Sequence, residues 1–193
     1  SYLLIIGRSL LTIQKEQARE ITTAEQRFRS LFTQSPDAVF AFDRHGIYQA
    51  VNPVAQRIVG FTNADIGVTH YWDVITPETT NDEDVSLFNN AFLNAVAGHP
   101  QHLEITFQTA STGTRIFDVS FVPTVVDAQI VGVFALAKDV TEQYQALEKQ
   151  RILQRSLESS DNAVIVVDTR EESLPVVFAN PAFTSMTGYT REE

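Results

Sequence analysis

Apolar positions along the chain change their spacing several times, and each change marks an element. Through residues 1 to about 35 they fall three and four apart: Leu3, Ile6, Leu10 and Ile13, continued by Gln17, Glu20 and Ala24, with Phe28, Leu31 and Phe32 beyond. That spacing predicts one long helix or two abutting ones. Ser35-Pro36-Asp37 breaks it. The apolar run 38–42, the turn 43–46 and the run 47–51 then predict a β-hairpin. Asn52-Pro53 is a helix start, pairing a capping side chain with a ring already at a helical φ, and the short helix over 54–59 stops at Gly60. Residues 63–65 and 71–75 predict single helical turns. A longer helix follows over 85–97, with Phe88, Ala91, Phe92, Ala95 and Val96 on one side and Gly98 as its stop. Runs rich in β-branched and aromatic residues at 102–109, 114–122 and 129–138 predict three further strands. From Glu142 the chain turns to helix formers, with Tyr144 and Leu147 among charged residues. Two strands, short helices, a longer helix and three strands predict an α+β fold whose sheet has one face covered by helices.

The pattern also repeats. Ser35, Asp37, Ala38, Val39 and Asp43 return as Ser160, Asn162, Ala163, Val164 and Asp168, and Asn52, Pro53, Gly60, Phe61 and Thr62 return as Asn180, Pro181, Gly188, Tyr189 and Thr190. Self-similarity at an offset of about 125 to 128 residues indicates tandem domains. The second copy reaches only its first two strands and first short helix before Glu193. The 193 residues suit one ordinary domain and part of another.

Charge and composition narrow the chemistry. The net charge is −10, and no Lys/Arg cluster is interleaved with aromatics, so nucleic acid is not expected as a partner. There is no cysteine, which excludes disulfides, thiolate metal sites and a cysteine nucleophile. Residues 2–13 are too short, and too interrupted by Arg8, to span a bilayer that needs about 20 apolar residues. Two readings fit them: a coiled-coil seam, or the inner end of a membrane helix followed by Arg8, Lys15 and Arg19 on the inside. A cytoplasmic location, juxtamembrane in a membrane-anchored parent, is compatible with both.

No nucleophile elbow, phosphate loop or catalytic carboxylate pair is present, so no active site is expected in this segment. Asp82, Glu83 and Asp84 precede the longer helix, where carboxylates favour the positive end of its dipole. His99 and His102 flank a turn without carboxylates at ligand spacing, and no metal site is expected. Phe40, Phe42, Phe88, Phe92, Phe117, Phe121 and Phe134 fall at strand and helix spacing and are candidates to line the interior, either as packed core or as the wall of a pocket.

Several stretches carry a family likeness. Asp37-Ala38-Val39 with Asp43, Val51-Asn52-Pro53, Gly60-Phe61, Trp72-Asp73-Val74-Ile75 with Pro77, and Asp139-Val140-Thr141-Glu142 together resemble a PAS domain over about residues 24–142. The resemblance implies a five-stranded antiparallel sheet, a helical flank over a possible small-molecule pocket, and homodimerisation through long N- and C-terminal signalling helices. It places His70 and Trp72 in the short-helix region beside the pocket, with Phe40, Phe42, Phe88, Phe92, Phe134 and Ala137 as further pocket candidates. It gives Asp139 and Thr141 the role of coupling the last strand to the output helix, against the plainer reading of Thr141 as a helix cap. The second copy, through the insertion at 171–175 and Asn180-Pro181 to Glu193, is similar to the opening of a flavin-binding LOV domain. In the first copy His70 stands where that family has its photoactive cysteine and Ala137 where it has a flavin-contacting glutamine, so a cysteinyl-flavin adduct is not expected. Haem is not expected either, because the 85–97 helix has no histidine. The identity of any ligand stays open.

The organisation expected is a signalling helix over 1–23, a PAS domain over 24–141, a connecting helix over 142–159 and the start of a second, LOV-like domain over 160–193. In a bacterial signalling protein such a segment relays ligand occupancy or movement to a diguanylate cyclase, a phosphodiesterase or a histidine kinase. The alternative is a ligand-free dimerisation spacer with a filled core.

Overall fold

The structure is a computed structural model that describes residues 2–189, with the side chains of 15, 16 and 19–189. The seam positions Leu3, Ile6, Leu10, Ile13 and Gln17 lie outside the described side chains, and Thr190 and the residues after it outside the described chain. The chain divides after Val140 into two units, each taken by itself below. Among the described residues no helix is long and apolar enough to cross a membrane.

The first unit opens with α1 (Tyr2–Gln34), which ends where Ser35-Pro36 cannot continue it. Strands β1 (Ala38–Asp43) and β2 (Tyr48–Val51) form the hairpin. The carboxylate of Asp43 accepts the N–H groups of His45 and Ile47 and so ties the turn to its own first residue. After α2 (Pro53–Val59), a 3₁₀ turn at Tyr71–Asp73 and α3 (Asp82–Val96) come β3 (Gln101–Thr109), β4 (Gly113–Val126) and β5 (Gln129–Asp139). All pairings are antiparallel, in the order β2-β1-β5-β4-β3, so the last strand lies at the centre of the sheet. The predicted α+β class and the five strands are as observed. Of the expected single turns, only the one at 71–73 is helical.

One face of the sheet holds the core. Phe40 and Phe42 of β1, Phe117, Val119 and Phe121 of β4, and Val133, Ala135 and Ala137 of β5 point the same way and are buried. Helix α3 lays Phe88, Ala91, Phe92 and Ala95 over them, and its two alanines keep the helix close to the sheet. Phe92 meets Phe42 edge-on at 5.7 Å and Phe88 meets Phe121 at 4.9 Å, arrangements that the ring quadrupoles favour. Gly132 lets β1 and β5 approach, since a Cβ there would lie 2.1 Å from the Phe42 carbonyl oxygen.

The three acidic residues expected at the start of α3 are there, behind the Asn81 cap. Asp84 does more than complement the dipole. Its carboxylate accepts the Thr106 N–H of edge strand β3 at 2.9 Å and the Thr80 hydroxyl at 3.1 Å, which fastens the start of the helix to the sheet. Thr79 covers the same edge through its carbonyl, bonded by the Gln108 N–H.

The second unit contains α4 (Thr141–Glu158), a hairpin of β6 (Ile165–Val167) and β7 (Val176–Ala179), and α5 (Pro181–Thr187). It reproduces the first unit down to single bonds. Asn52 is fully buried; its side-chain oxygen accepts the N–H groups of Val39 and Ala55, and its amide donates to the Asp37 carbonyl. Asn180, also fully buried, accepts from Val164 and Phe183 and donates to the carbonyl of Asn162. Ser35 and Ser160 each accept the N–H two residues on. The sequence repeat is therefore a repeat of one hydrogen-bonded corner, in which an asparagine caps a helix and closes the start of the preceding hairpin.

Candidate functional site: the core cavity and the central strand

Between the sheet and α2 lies a cavity of about 40 Å³. Phe40, Phe42, Phe88 and Ala137, all named from the sequence, line it together with Ile58, Val59 and Phe117. The sequence did not mark Tyr48, which also lines it and is only 2 % exposed. Tyr48 faces inward because a bulge between Ala41 and Phe42 sets it opposite Phe42, with the rings 4.6 Å apart. Burial, and behind it the charge of Asp73, push its hydroxyl above the ordinary tyrosine range, so it stays protonated.

Four pocket candidates sit elsewhere. Phe92 is buried in the aromatic stack against Phe42 and Tyr71, not on the cavity wall. Phe134 points to the opposite face of the sheet, where its ring meets Phe28 of α1 at 6.1 Å. The reason is register: Ala135 pairs with Phe40 and takes the inward side, so its neighbour must point outward. Trp72 is 60 % exposed and lies on His70, the two rings 14° from parallel.

His70 is buried, and both its ring nitrogens are occupied by backbone. Nδ1 accepts the Trp72 N–H at 3.2 Å, and Nε2–H donates to the His45 carbonyl, which assigns the proton to Nε2. The Asp73 carboxylate accepts the His70 N–H at 3.1 Å, completing a capping box. This histidine caps the 3₁₀ turn and pins it to the 43–46 turn, where Gly46 leaves room for the rings of Tyr71 and His70. A capping role for histidine has no strong sequence signal, but an acidic residue three positions on was visible.

Asp139 closes β5 opposite Phe117 and is exposed; Thr141 opens α4 and is buried. Between them the Val140 N–H donates to the Ile116 carbonyl, so the β4–β5 ladder holds up to the residue before α4. Among the described residues no group of His, Asp and Glu side chains could hold a metal ion.

A family profile described as PAS fold matches residues 32–145, more than half of the chain. The chain belongs to the PAS family. A second profile, described as PAS domain, matches residues 143–193. No curated protein matches the chain. Among solved structures, the PAS domain of a protein from Colwellia psychrerythraea aligns at 17 % identity and a TM-score of 0.51, over 62 % of this chain and 98 % of that one. The PAS domain of Bordetella pertussis BvgS aligns at 18 % and 0.50, over 70 % and 99 %. The phage VqmA–DPO complex aligns at 16 % and 0.51, over 75 % and 65 %. At these identities the likeness shows the fold alone. PAS domains are sensory units, and the first unit of this chain is one of them.

Proposed function

We propose that the first unit relays a signal between helices in a dimer of a multidomain bacterial signalling protein, passing movement from α1 through the sheet to α4. The observation that carries this reading is the position of β5. It is the central strand, its Phe134 meets Phe28 of α1, and one residue separates its end from α4. A shift of α1 against the sheet thus acts on the strand that leads into the output helix, with Asp139 and Thr141 at the joint. The effector lies outside this segment and is a cyclic-di-GMP cyclase or phosphodiesterase, or a histidine kinase; α1 brings movement from a membrane side or from another domain.

The cavity supports movement, rather than a large cofactor, as the stimulus. Its 40 Å³ compares with about 150 Å³ for an apolar cavity that holds benzene. Seven phenylalanines stand among the buried residues of the core.

The chain has no cysteine, so one label site per chain can be introduced cleanly. Ile152→Cys on the exposed surface of α4, spin-labelled, reports distances between copies. The expected result is a defined inter-copy distance that shifts in Phe134→Ala and in Asp139→Ala while the Trp72 fluorescence of the folded domain is retained. No inter-copy distance would remove the dimer, and a distance unchanged by both substitutions would remove the relay.

A further inference from the structure

On the outer face of the sheet, the rung beside Ala41–Phe134–Val122 is Asp43–Gly132–Thr124. Gly132 brings no side chain to it, and a shallow groove lies there, bounded by Ala41, Gln49, Thr124, Val131 and Phe134. Asp43 stands on the rim, but its carboxylate oxygens are turned to its own hairpin, where they accept from His45, Ile47 and Gln49. The lining is therefore mainly apolar, and Val131 on its wall is 45 % exposed.

Helix α1 reaches this face next to the groove. Its last residue, Gln34, is four positions before Ala38, where β1 begins opposite Ala137, and Phe28 meets Phe134. The helix thus runs in the direction of β5, with its earlier residues toward the groove. Counted from the Phe28–Phe134 contact, seven helical residues rise about 10.5 Å and three strand residues span about 10 Å. Ile21 therefore stands level with Val131, and seven residues fall only about 20° short of two full turns, so it shares the Phe28 face. Yet Ile21 is 68 % exposed.

We propose that the groove is a second seat for α1, filled by Ile21 when the helix lies down along β5 and left open when, as here, Ile21 stays in water. A separate molecule is the weaker occupant. The helix is already joined to the wall of the groove through Phe28 and Phe134, which raises its effective concentration there, and seating takes Ile21 and Val131 out of water together. The two positions of α1 act on the residues that open β5. This deepens the relay reading and rests on the same contact; the test reads α1 alone, so the seat can fail while α4 still moves, and the reverse.

The cysteine-free chain makes that test direct. Mild oxidation of Ile21→Cys/Val131→Cys is expected to give a disulfide within one chain, read by mass and by faster migration of the monomer. Such a bond needs Cβ atoms about 3.5–4.5 Å apart, a distance that only a seated helix reaches. Ile21→Cys/Leu93→Cys, whose second site lies on α3 across the sheet, is expected to give none. In Ile21→Asp, where a charge opposes entry to the apolar groove, the Val131 methyl NMR signals are expected to shift while those of Val119 in the core stay fixed. Disulfides formed only between chains would overturn the proposal and give the groove to a second copy. No disulfide, with Val131 signals unmoved in Ile21→Asp, would overturn the seat itself.

Discussion

Replacing Asn52 by alanine removes three hydrogen bonds. The Val39 N–H loses its acceptor in a buried position, the Ala55 N–H loses its helix cap, and the half-buried Asp37 carbonyl loses one of two donors and keeps the Ser35 hydroxyl. An N-cap is worth about 1 kcal/mol, and a buried unpaired N–H costs roughly 1–3 kcal/mol. The Asp37 carbonyl keeps the Ser35 hydroxyl and adds little. The expected destabilisation is about 3 kcal/mol. With a urea m-value of about 2 kcal/mol/M, the midpoint falls by roughly 1.5 M. Trp72 is the only tryptophan and lies in the first unit, so its emission follows that unit's unfolding. Asn180→Ala removes the matching corner of the second unit and is expected to leave the Trp72 transition in place. A fall below about 0.5 M in Asn52→Ala would refute the reasoning, because it would mean that the hairpin and α2 hold together without the shared asparagine.

Gly132→Ala drives a methyl into the Phe42 carbonyl and is expected to cost at least about 2 kcal/mol in the same assay. Asp84→Ala frees the Thr106 N–H and the start of α3 together; the expected loss is roughly 1–2 kcal/mol, with hydrogen exchange rising first at Thr106. Phe28→Ala and Phe134→Ala form a double-mutant cycle whose coupling energy, measured by urea unfolding, is expected below about 1 kcal/mol, because Phe28 stays half exposed. Tyr48 sets an alkaline limit. Its folded-state pKa lies above the unfolded value near 10, so the stability it contributes is complete below pH 10 and is lost as pH rises beyond it. Unfolding midpoints measured by circular dichroism from pH 9 to 11 should fall, and fall less steeply in Tyr48→Phe.

Where one physical signal dominated, the sequence was sufficient. The Asn-Pro starts of α2 and α5, the apolar stripe of α3 and the three long strands each rest on local chemistry, and each is where the pattern placed it. Orientation was harder. In β5 the residues from Ile130 to Leu136 are apolar on both faces apart from Gly132, so a two-residue period is invisible and Phe134 reads as core. Only pairing with β1, which turns Ala135 inward, decides it. The same strand carries apolar groups outward as well, Phe134 against Phe28 of α1 and Val131 and Leu136 exposed, and these erase the alternation a one-sided sheet would show.

The settings of Tyr48 and His70 are made by irregularities and not by period. In a regular hairpin Phe42 would face Gln49, and the polar residue would sit on the core side. The bulge after Ala41 skips Gln49 and brings Tyr48 across instead, onto the cavity wall. Ser, Thr, Asp and Asn are the expected helix caps, so the sequence leaves a histidine before two aromatics open between packing and ligand contact. Its two backbone bonds leave no nitrogen to offer a ligand. The aromatic cluster around residues 70–72 thus belongs to the closure of the domain over the hairpin.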